Sequence, residues 1–153
     1  MRQGKFMVEK AEKLGLPKNA WGVLQKGENI TIDGKVYTPD MVLGEERRGI
    51  KVTYCTDSRP LSIIAEKARD ADLFICEGMY GEEGKEAKAK EYKHMTFKEA
   101  ANLGKEANPK EMWLTHFSPS LIRPEEYIKD VKKIFERIHV GKDGKSITLK
   151  YEE

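Results

Sequence analysis

From residue 51 onward, strand-like and helix-like segments alternate, and this alternation most strongly limits how the chain can fold. Apolar runs at 51–55, 72–76 and Met112–Thr115 predict three strands separated by helices. A helix at 124–138 and a strand at 146–151 are predicted to follow. Such alternation needs crossover connections, which are almost always right-handed, and a largely parallel sheet. The predicted fold class is therefore α/β, with a sheet layer flanked by helices.

Local signals set several helix boundaries in this region. Pro60 favours the first position of a helix. Thr96 and Glu99 form a capping box, which predicts that a helix begins there. Residues 81–92 are charged on all sides, and this pattern fits either a solvated helix or a loop.

The first part of the chain has a different character. A short helix is predicted at 8–14, and alternating runs on both sides of Asp33-Gly34 predict a hairpin. Residues 1–26 carry six basic side chains against two acidic ones, so this segment could meet phosphate groups. The alternative interpretation is an ordinary solvated surface.

Length and composition restrict the class of protein. A chain of 153 residues predicts one domain, which we divide into a basic segment with a hairpin at 1–50 and an alternating part at 51–153. No apolar run is long enough to span a bilayer, and no secretory signal is evident, so we expect no membrane partner. With only two cysteines, Cys55 and Cys76, we expect free thiols and a cytoplasmic location.

Polar side chains follow the predicted strands at the point where each strand ends. Asp57, Glu77 and His116 would emerge at the carboxyl edge of a parallel sheet, and His94 lies just before the Thr96 cap. Ligands bind at this edge in open α/β sheets. Carboxylate and imidazole groups suit zinc or manganese, and a carboxylate can bridge two metals. Asp57 and His116 are the candidate ligands, although a catalytic zinc usually takes three from the protein.

Each candidate also has a structural interpretation. Asp57 could cap the following helix. Glu77 could bind nearby backbone, and His116 beside an apolar strand could be a structural histidine. His139 is predicted to be an exposed cation at a helix C-terminus. Both cysteines are expected to serve packing.

Four motifs resemble those of the ribonuclease Z family, tRNA 3′-processing endonucleases of the metallo-β-lactamase superfamily. Tyr54-Cys55-Thr56-Asp57-Ser58-Arg59-Pro60 resembles the family's Gly-Asp-Thr-Arg-Pro motif. Cys76-Glu77-Gly78-Met79-Tyr80 resembles its His-Glu-Ala-Thr-Phe/Tyr motif, and His94-Met95-Thr96 its His-Ser-Thr motif. Leu114-Thr115-His116-Phe117-Ser118-Pro119 is similar to its Leu-Thr-His-Phe-Ser-Pro motif. The four motifs occur in the family's order.

The resemblance implies a role for each matching side chain. Asp57 would bridge two metal ions, zinc or alternatively manganese or magnesium, and His116 would bind one of them. His94 would protonate the leaving oxygen, with Glu77 orienting its ring and fixing its tautomer. The family fold would be an αββα sandwich of two packed sheets.

Substrate contacts are implied by the same resemblance. Lys18, Lys26 and Ser118 would lie near the RNA, and the substrate would be precursor tRNA.

The family's His-x-His-x-Asp-His signature is missing, because the chain contains only three histidines. The resemblance therefore implies the C-terminal half of the family fold, with an incomplete metal site. A single layer leaves an apolar sheet face without cover, so we expect association with an N-terminal half or with a second copy. The isolated chain is expected to be inactive.

Two other functions remain open from the sequence. The chain could be a non-catalytic, self-associating remnant or RNA-binding module. It could also be half of a metallo-β-lactamase-like hydrolase with another substrate, because this fold hosts many activities.

Overall fold

A computed structural model describes residues 1–151 and shows a mixed α/β arrangement with a parallel sheet flanked by helices, as predicted. The described chain forms two compact units, one of residues 1–49 with Tyr151 and one of residues 50–150. These are called unit 1 and unit 2. The single domain of residues 1–153 stays a prediction, and its last two residues lie outside the described chain.

Unit 1 contains two helices, a two-stranded hairpin and a 3-10 turn around a small core. Buried side chains from both helices and from the segment after the hairpin form that core: Ala11, Leu16, Leu24 and Val42. The predicted hairpin is confirmed. The second helix was not predicted, because Gly22 interrupts its apolar pattern. The elements are α1 (Val8–Lys13), α2 (Lys18–Gln25), β1 (Ile30–Ile32), β2 (Lys35–Tyr37) and the 3-10 turn (Pro39–Met41).

Unit 2 alternates strands with helices, as the sequence pattern requires. Its only additional helix lies in the charged stretch at 81–92, for which a solvated helix was one of the two predictions. The elements are β3 (Val52–Cys55), α3 (Ser62–Ala68), β4 (Leu73–Glu77), α4 (Glu86–Glu91), α5 (Phe97–Ala107), β5 (Met112–Thr115), α6 (Pro124–Val131) and β6 (Ile138–Val140).

All neighbouring strands of the unit 2 sheet are parallel, in the order β3-β4-β5-β6. In the register, Cys55 pairs with Cys76, Cys76 with Leu114, and Glu77 with Thr115. The carboxyl ends of β3, β4 and β5 therefore lie side by side. Residues that follow these strands begin close together in space, which is the main requirement for a shared site.

One face of this sheet carries the core of unit 2. Phe74, Met112 and Leu114 point to that face and are fully buried. Side chains of α3, α5 and α6 pack against them, including Ile64, Phe97 and Val131. Apolar burial on this face stabilises the sheet and fixes the register, because a slip of one residue would turn the core side chains outward.

The outer face of the sheet, with Val52, Tyr54, Ile75 and Trp113, is only partly covered. Val52 and Tyr54 on the edge strand β3 are 52% and 67% exposed. Tyr54 pairs with Ile75, which pairs with Trp113, so the row continues across three strands. Trp113 is buried, with the Lys145 ammonium 4.3 Å from the centre of a Trp113 ring. The sheet face expected to lack cover is thus exposed at β3.

Three predicted boundaries near the chain end and near Pro60 are wrong. The helix predicted at 124–138 ends at Val131, and Ile138 starts β6, because pairing with Met112 in the sheet overrides the helical periodicity. Residues 146–151 form no strand, since an alternating run needs a partner ladder. Pro60 lies outside α3, whose N-cap is Leu61.

None of the helices within residues 1–151 is long and apolar enough to cross a membrane.

Leu114→Ala should lower the free energy of unfolding by about 2–5 kcal/mol, because it opens a cavity at a fully buried position of the central sheet. The measurement is urea unfolding followed by far-UV circular dichroism. Leu61→Ala is the matched control, since Leu61 is 52% exposed and should lose less than about 1 kcal/mol. Equal losses at the two positions would contradict the packing of this core.

Candidate metal and catalytic site

Asp57 and His116 follow β3 and β5 and adopt an unusual backbone conformation. Their φ angles are 52° and 57°, in the left-handed region. Asp and His tolerate this region better than most residues, yet it costs on the order of 1–3 kcal/mol at each position. The two side chains meet, with Asp57 Oδ1 3.0 Å from His116 Nε2. The predicted proximity of these two residues is confirmed.

His94 approaches the same place from the loop between α4 and α5. Lys93, immediately before it, is also left-handed with φ 61°, and the His94 N–H donates to the carbonyl of Ala89. The ring centres of His94 and His116 are 5.3 Å apart. One donor atom from each of Asp57, His94 and His116 lies within 4.8 Å of the others. Three parts of unit 2 therefore converge on one group of potential ligands.

Glu77, the last residue of β4, forms hydrogen bonds next to this group. Its side chain is fully buried, and its carboxylate accepts hydrogen bonds from the backbone N–H of Ser58 at 2.5 Å and of Met95 at 3.1 Å. His94 Nδ1 lies 3.2 Å from the same carboxylate. A buried charge is costly unless it is paired and hydrogen-bonded, and these contacts meet that need. Glu77 thus ties the loops that carry Asp57 and His94 to the end of β4.

Arg59 forms a second link between these loops, and no sequence pattern indicated a role for its side chain. Its guanidinium donates to the Glu99 carboxylate and to the carbonyl oxygen of His94. Glu99 also accepts from the N–H of Thr96, completing the predicted capping box at the start of α5. Arg59 lies in the same motif as Asp57, and this position could have marked it as a site residue. Its partners, His94 and Glu99, are distant in the sequence, so the contacts themselves could not be predicted.

The pKa of Glu99 reflects this arrangement. Partial burial raises the pKa, and the hydrogen bonds from Arg59 and Thr96 together with the charge of Arg59 outweigh that effect. The net result is a pKa below the usual value for glutamate. The Arg59–Glu99 pair is therefore ionised at neutral pH and joins the loop after β3 to α5.

The donor set suits a transition metal such as zinc. It offers one carboxylate oxygen and two imidazole nitrogens, a common ligand combination for catalytic zinc. Donors of one tetrahedral zinc lie about 3.3 Å apart, given bonds of about 2.0 Å. The Asp57–His116 separation of 3.0 Å is close to this value. Asp57 is 67% exposed and His116 38%, so the group is open to solvent.

The remaining predicted residues are not all brought together. Ser118 follows His116 in the same loop, where its hydroxyl lies 2.8 Å from that of Ser120. Lys18 and Lys26 are exposed side chains at the start and the end of α2 in unit 1. The substrate roles of these three residues stay predictions.

The structure also bears on the alternative interpretations. Asp57 does not cap α3, because the N-cap residue of that helix is Leu61. His139 lies in β6, not at a helix end as predicted, and its partial burial lowers its pKa. Cys55 and Cys76 are free thiols that join the core of unit 2, as the expected packing role requires.

Several proteins named ribonuclease Z match almost the whole chain. It is 60% identical over 152 residues to ribonuclease Z of Lachnospira eligens, and 57% identical to that of Agathobacter rectalis. It is 52% identical over 151 residues to ribonuclease Z of Clostridium acetobutylicum. Each alignment covers 99% of the chain. The chain is a partial-length homologue of ribonuclease Z. No protein-family model matches the chain.

The homology extends over only part of each ribonuclease Z. The chain spans about half the length of the curated relatives it matches, with 50% covered in the Lachnospira protein and 49% in the Clostridium protein. These relatives are therefore about twice as long as this chain.

Solved structures match part of this chain. The metallo-beta-lactamase fold protein YhfI from Bacillus subtilis matches 60% of the chain with a TM-score of 0.52 and 27% identity, over 36% of its own length. The short form of human tRNase Z matches 75% of the chain with a TM-score of 0.52 and 22% identity, over 37% of its length. The sheet and helices thus correspond to part of a metallo-β-lactamase fold.

Glu99→Gln should lower the free energy of unfolding at pH 7, because glutamine keeps the capping box but loses the charge that faces Arg59. The pKa of Glu99 is lowered in the folded state, so its contribution is complete above the unfolded pKa, about 4.3, and is lost as pH falls through the folded value. Urea unfolding of both proteins from pH 7 to pH 2 measures this difference.

The difference between wild type and Glu99→Gln should therefore vanish in acid. Glu106→Gln, at an exposed acid on the same helix, is the control and should match wild type within about 0.5 kcal/mol at pH 7. A stability gap that persists unchanged at the lowest pH would contradict the ion pair.

Proposed function

We propose that this chain is one half of a metal-dependent endoribonuclease that processes tRNA 3′ ends. The observation that carries the proposal is the meeting of Asp57 with His116, beside a His94 ring that is oriented by a buried glutamate. The similarity to ribonuclease Z supplies the reaction class and the substrate, precursor tRNA. The completed enzyme would have its site at the carboxyl edge of the unit 2 sheet.

In this proposal Asp57 and His116 would hold the metal. The Asp57 carboxylate has two oxygens, so it can bridge two ions, while His116 offers a single nitrogen to one of them. Two zinc ions, or manganese or magnesium, would activate a water molecule and offset the charge of the phosphodiester. The described residues of this chain bring together too few ligands for two ions, and the other half would supply the rest.

His94 would act on the leaving group. Its Nδ1 faces the Glu77 carboxylate, so the N–H at Nδ1 donates there and Nε2 is left for the substrate. As an imidazolium, His94 would give the Nε2 proton to the leaving oxygen while the phosphorus–oxygen bond breaks. Glu77 would keep the ring in this orientation throughout, because its other hydrogen bonds fix the carboxylate in place.

The other half of the family fold is the proposed partner. Val52 and Tyr54 leave apolar surface exposed on the outer face of the sheet, and such surface favours association. The curated relatives contain about as much additional chain as this one provides. Packing of a second sheet on the outer face would bury this surface and bring further ligands to Asp57. A second copy of this chain is the competing occupant.

A non-catalytic role is the second candidate. Within residues 1–151, a single group of three potential ligands favours this role, and so does the basic segment at the start of the chain. A remnant that binds RNA through residues 1–26 would need no metal. Zinc binding separates these two candidates.

Wild-type protein should bind Zn²⁺ stoichiometrically in calorimetric titrations at pH 7. Asp57→Ala and His116→Ala should each weaken binding about tenfold or more, because each removes a direct ligand. His94→Ala should have a smaller effect, since we assign His94 to the leaving group. His139→Ala is the control and should bind as wild type does. An Asp57→Ala protein with unchanged zinc affinity would argue for the non-catalytic role.

Cleavage should appear when the chain is mixed with the complementary half of the Lachnospira eligens ribonuclease Z, in the presence of zinc or manganese. Precursor tRNA with a 3′ extension is the substrate, and the released extension is measured. His94→Ala should reduce the rate by about 10²–10⁴, the usual contribution of a general acid. His139→Ala should leave the rate unchanged. A mixture that forms a complex and binds metal but cleaves no RNA would rule out this reaction.

A further inference from the structure

The main chain at His94 is hydrogen-bonded on both sides, and Arg59 supplies one of these contacts. The His94 N–H donates to the carbonyl of Ala89. The His94 carbonyl accepts from the Arg59 guanidinium, and the next N–H, that of Met95, donates to the Glu77 carboxylate. Each polar group on this stretch of main chain therefore has a partner. The proposed function gives Glu77 a role in this set and gives none to Arg59.

We propose that Arg59 is a positioning residue that holds the main chain of His94, so that the imidazole stays between the Glu77 carboxylate and the leaving oxygen. The inference rests on the proposed function, because it gives Arg59 a part in the same proton transfer. The guanidinium is bound to the His94 carbonyl and to Glu99, so it acts through His94 and not on the substrate.

The shape of the guanidinium suits this task, because a planar group donates to several partners in fixed directions. Nη1 of Arg59 donates to the His94 carbonyl and to Glu99 Oε2, the latter at 3.2 Å, and Nη2 donates to Glu99 Oε1. Contact with both oxygens of one carboxylate fixes orientation as well as distance. A lysine ammonium is a single charge on a flexible chain and lacks this fork.

Glu99 is itself anchored, which connects His94 to a helix. In the capping box of α5, the Thr96 N–H donates to Glu99 Oε2 at 2.9 Å. The side chains of Arg59 and Glu99 are 28% and 24% exposed, so solvent screens their ion pair only in part. The helix α5 packs in the core of unit 2 and therefore provides a rigid support for the loop that carries His94.

The contact with Glu77 alone does not fix the direction of the His94 ring. Nδ1 lies 3.4 Å and 3.2 Å from the two Glu77 oxygens, so the ring is held at one corner only. Lys93, the preceding residue, has a left-handed φ of 61°, which is an unfavourable conformation that the loop would tend to leave. Without Arg59 the main chain could relax, and a displacement of about 1 Å at a reacting group can cost about 100-fold in rate.

The first test uses ¹⁵N NMR of the histidine rings in the chain alone at pH 8, since these signals report which ring nitrogen carries the proton. The chain contains three histidines, and His94→Ala identifies the signals of His94. In wild type the proton should reside on Nδ1. In Arg59→Ala it should be shared between Nδ1 and Nε2, because the ring is no longer held against Glu77. The signals of His139 should not change.

The second test measures kcat and KM for cleavage of precursor tRNA by the mixture with the complementary Lachnospira eligens half. Arg59→Ala should lower kcat about 10–100-fold and leave KM within about twofold of wild type. Arg59→Lys keeps the charge that faces Glu99 but not the fork, so it should regain folding stability while kcat stays about tenfold low. Arg123→Ala is the matched control, because Arg123 forms an exposed ion pair with Glu126. It should match wild type in both tests.

The two tests separate this inference from the proposed function. Unchanged His94 signals in Arg59→Ala would overturn the positioning role even if wild type cleaves RNA. If the wild-type mixture cleaves no RNA, the proposed function fails, and the His94 signals still decide whether Arg59 orients the ring. A higher KM with unchanged kcat would mean that Arg59 binds substrate instead. Full kcat in Arg59→Lys would show that charge alone suffices, and this variant decides the question if Arg59→Ala does not fold.

Discussion

The buried carboxylate of Glu77 is the interaction on which the candidate site depends. It lies at the end of β4 with no exposure to solvent, and it accepts hydrogen bonds from the backbone of Ser58 and Met95. A charge in this position would be strongly unfavourable without these partners. The same contacts that satisfy the charge fix the positions of the loops bearing Asp57 and His94. Stability and the geometry of the site therefore share one set of hydrogen bonds.

The parallel register of the sheet makes this arrangement possible. Because β3, β4 and β5 end side by side, short loops are enough to bring Asp57, Glu77 and His116 together. The backbone adopts a left-handed conformation at Asp57 and at His116, and the contact between the two side chains helps to offset its cost. Unfavourable backbone angles that persist at a cluster of potential ligands are typical of functional sites.

Much of this could be predicted from the sequence, because the informative signals are local. Apolar runs identified β3, β4 and β5, and the capping residues Thr96 and Glu99 identified the start of α5. Position after a strand was enough to predict that Asp57 and His116 are neighbours. The roles proposed for these side chains stay predictions.

The rest depends on contacts that no local pattern encodes. The fourth strand at Ile138 was hidden in a helical periodicity, because its strand identity comes from pairing with Met112. The alternating run at 146–151 lacks a ladder partner within the described chain, so its strand propensity is not realised. The hydrogen bond from Arg59 to the carbonyl of His94 joins residues 35 positions apart, and only the folded structure reveals it.

The exposed edge strand β3 has a consequence for how such a chain can exist in a cell. Among the described strands it pairs with β4 alone, and it presents the exposed side chains of Val52 and Tyr54, a combination that promotes edge-to-edge aggregation. Synthesis of this region without cover would thus produce insoluble material at high concentration. Its yield in soluble form should depend on what is made alongside it.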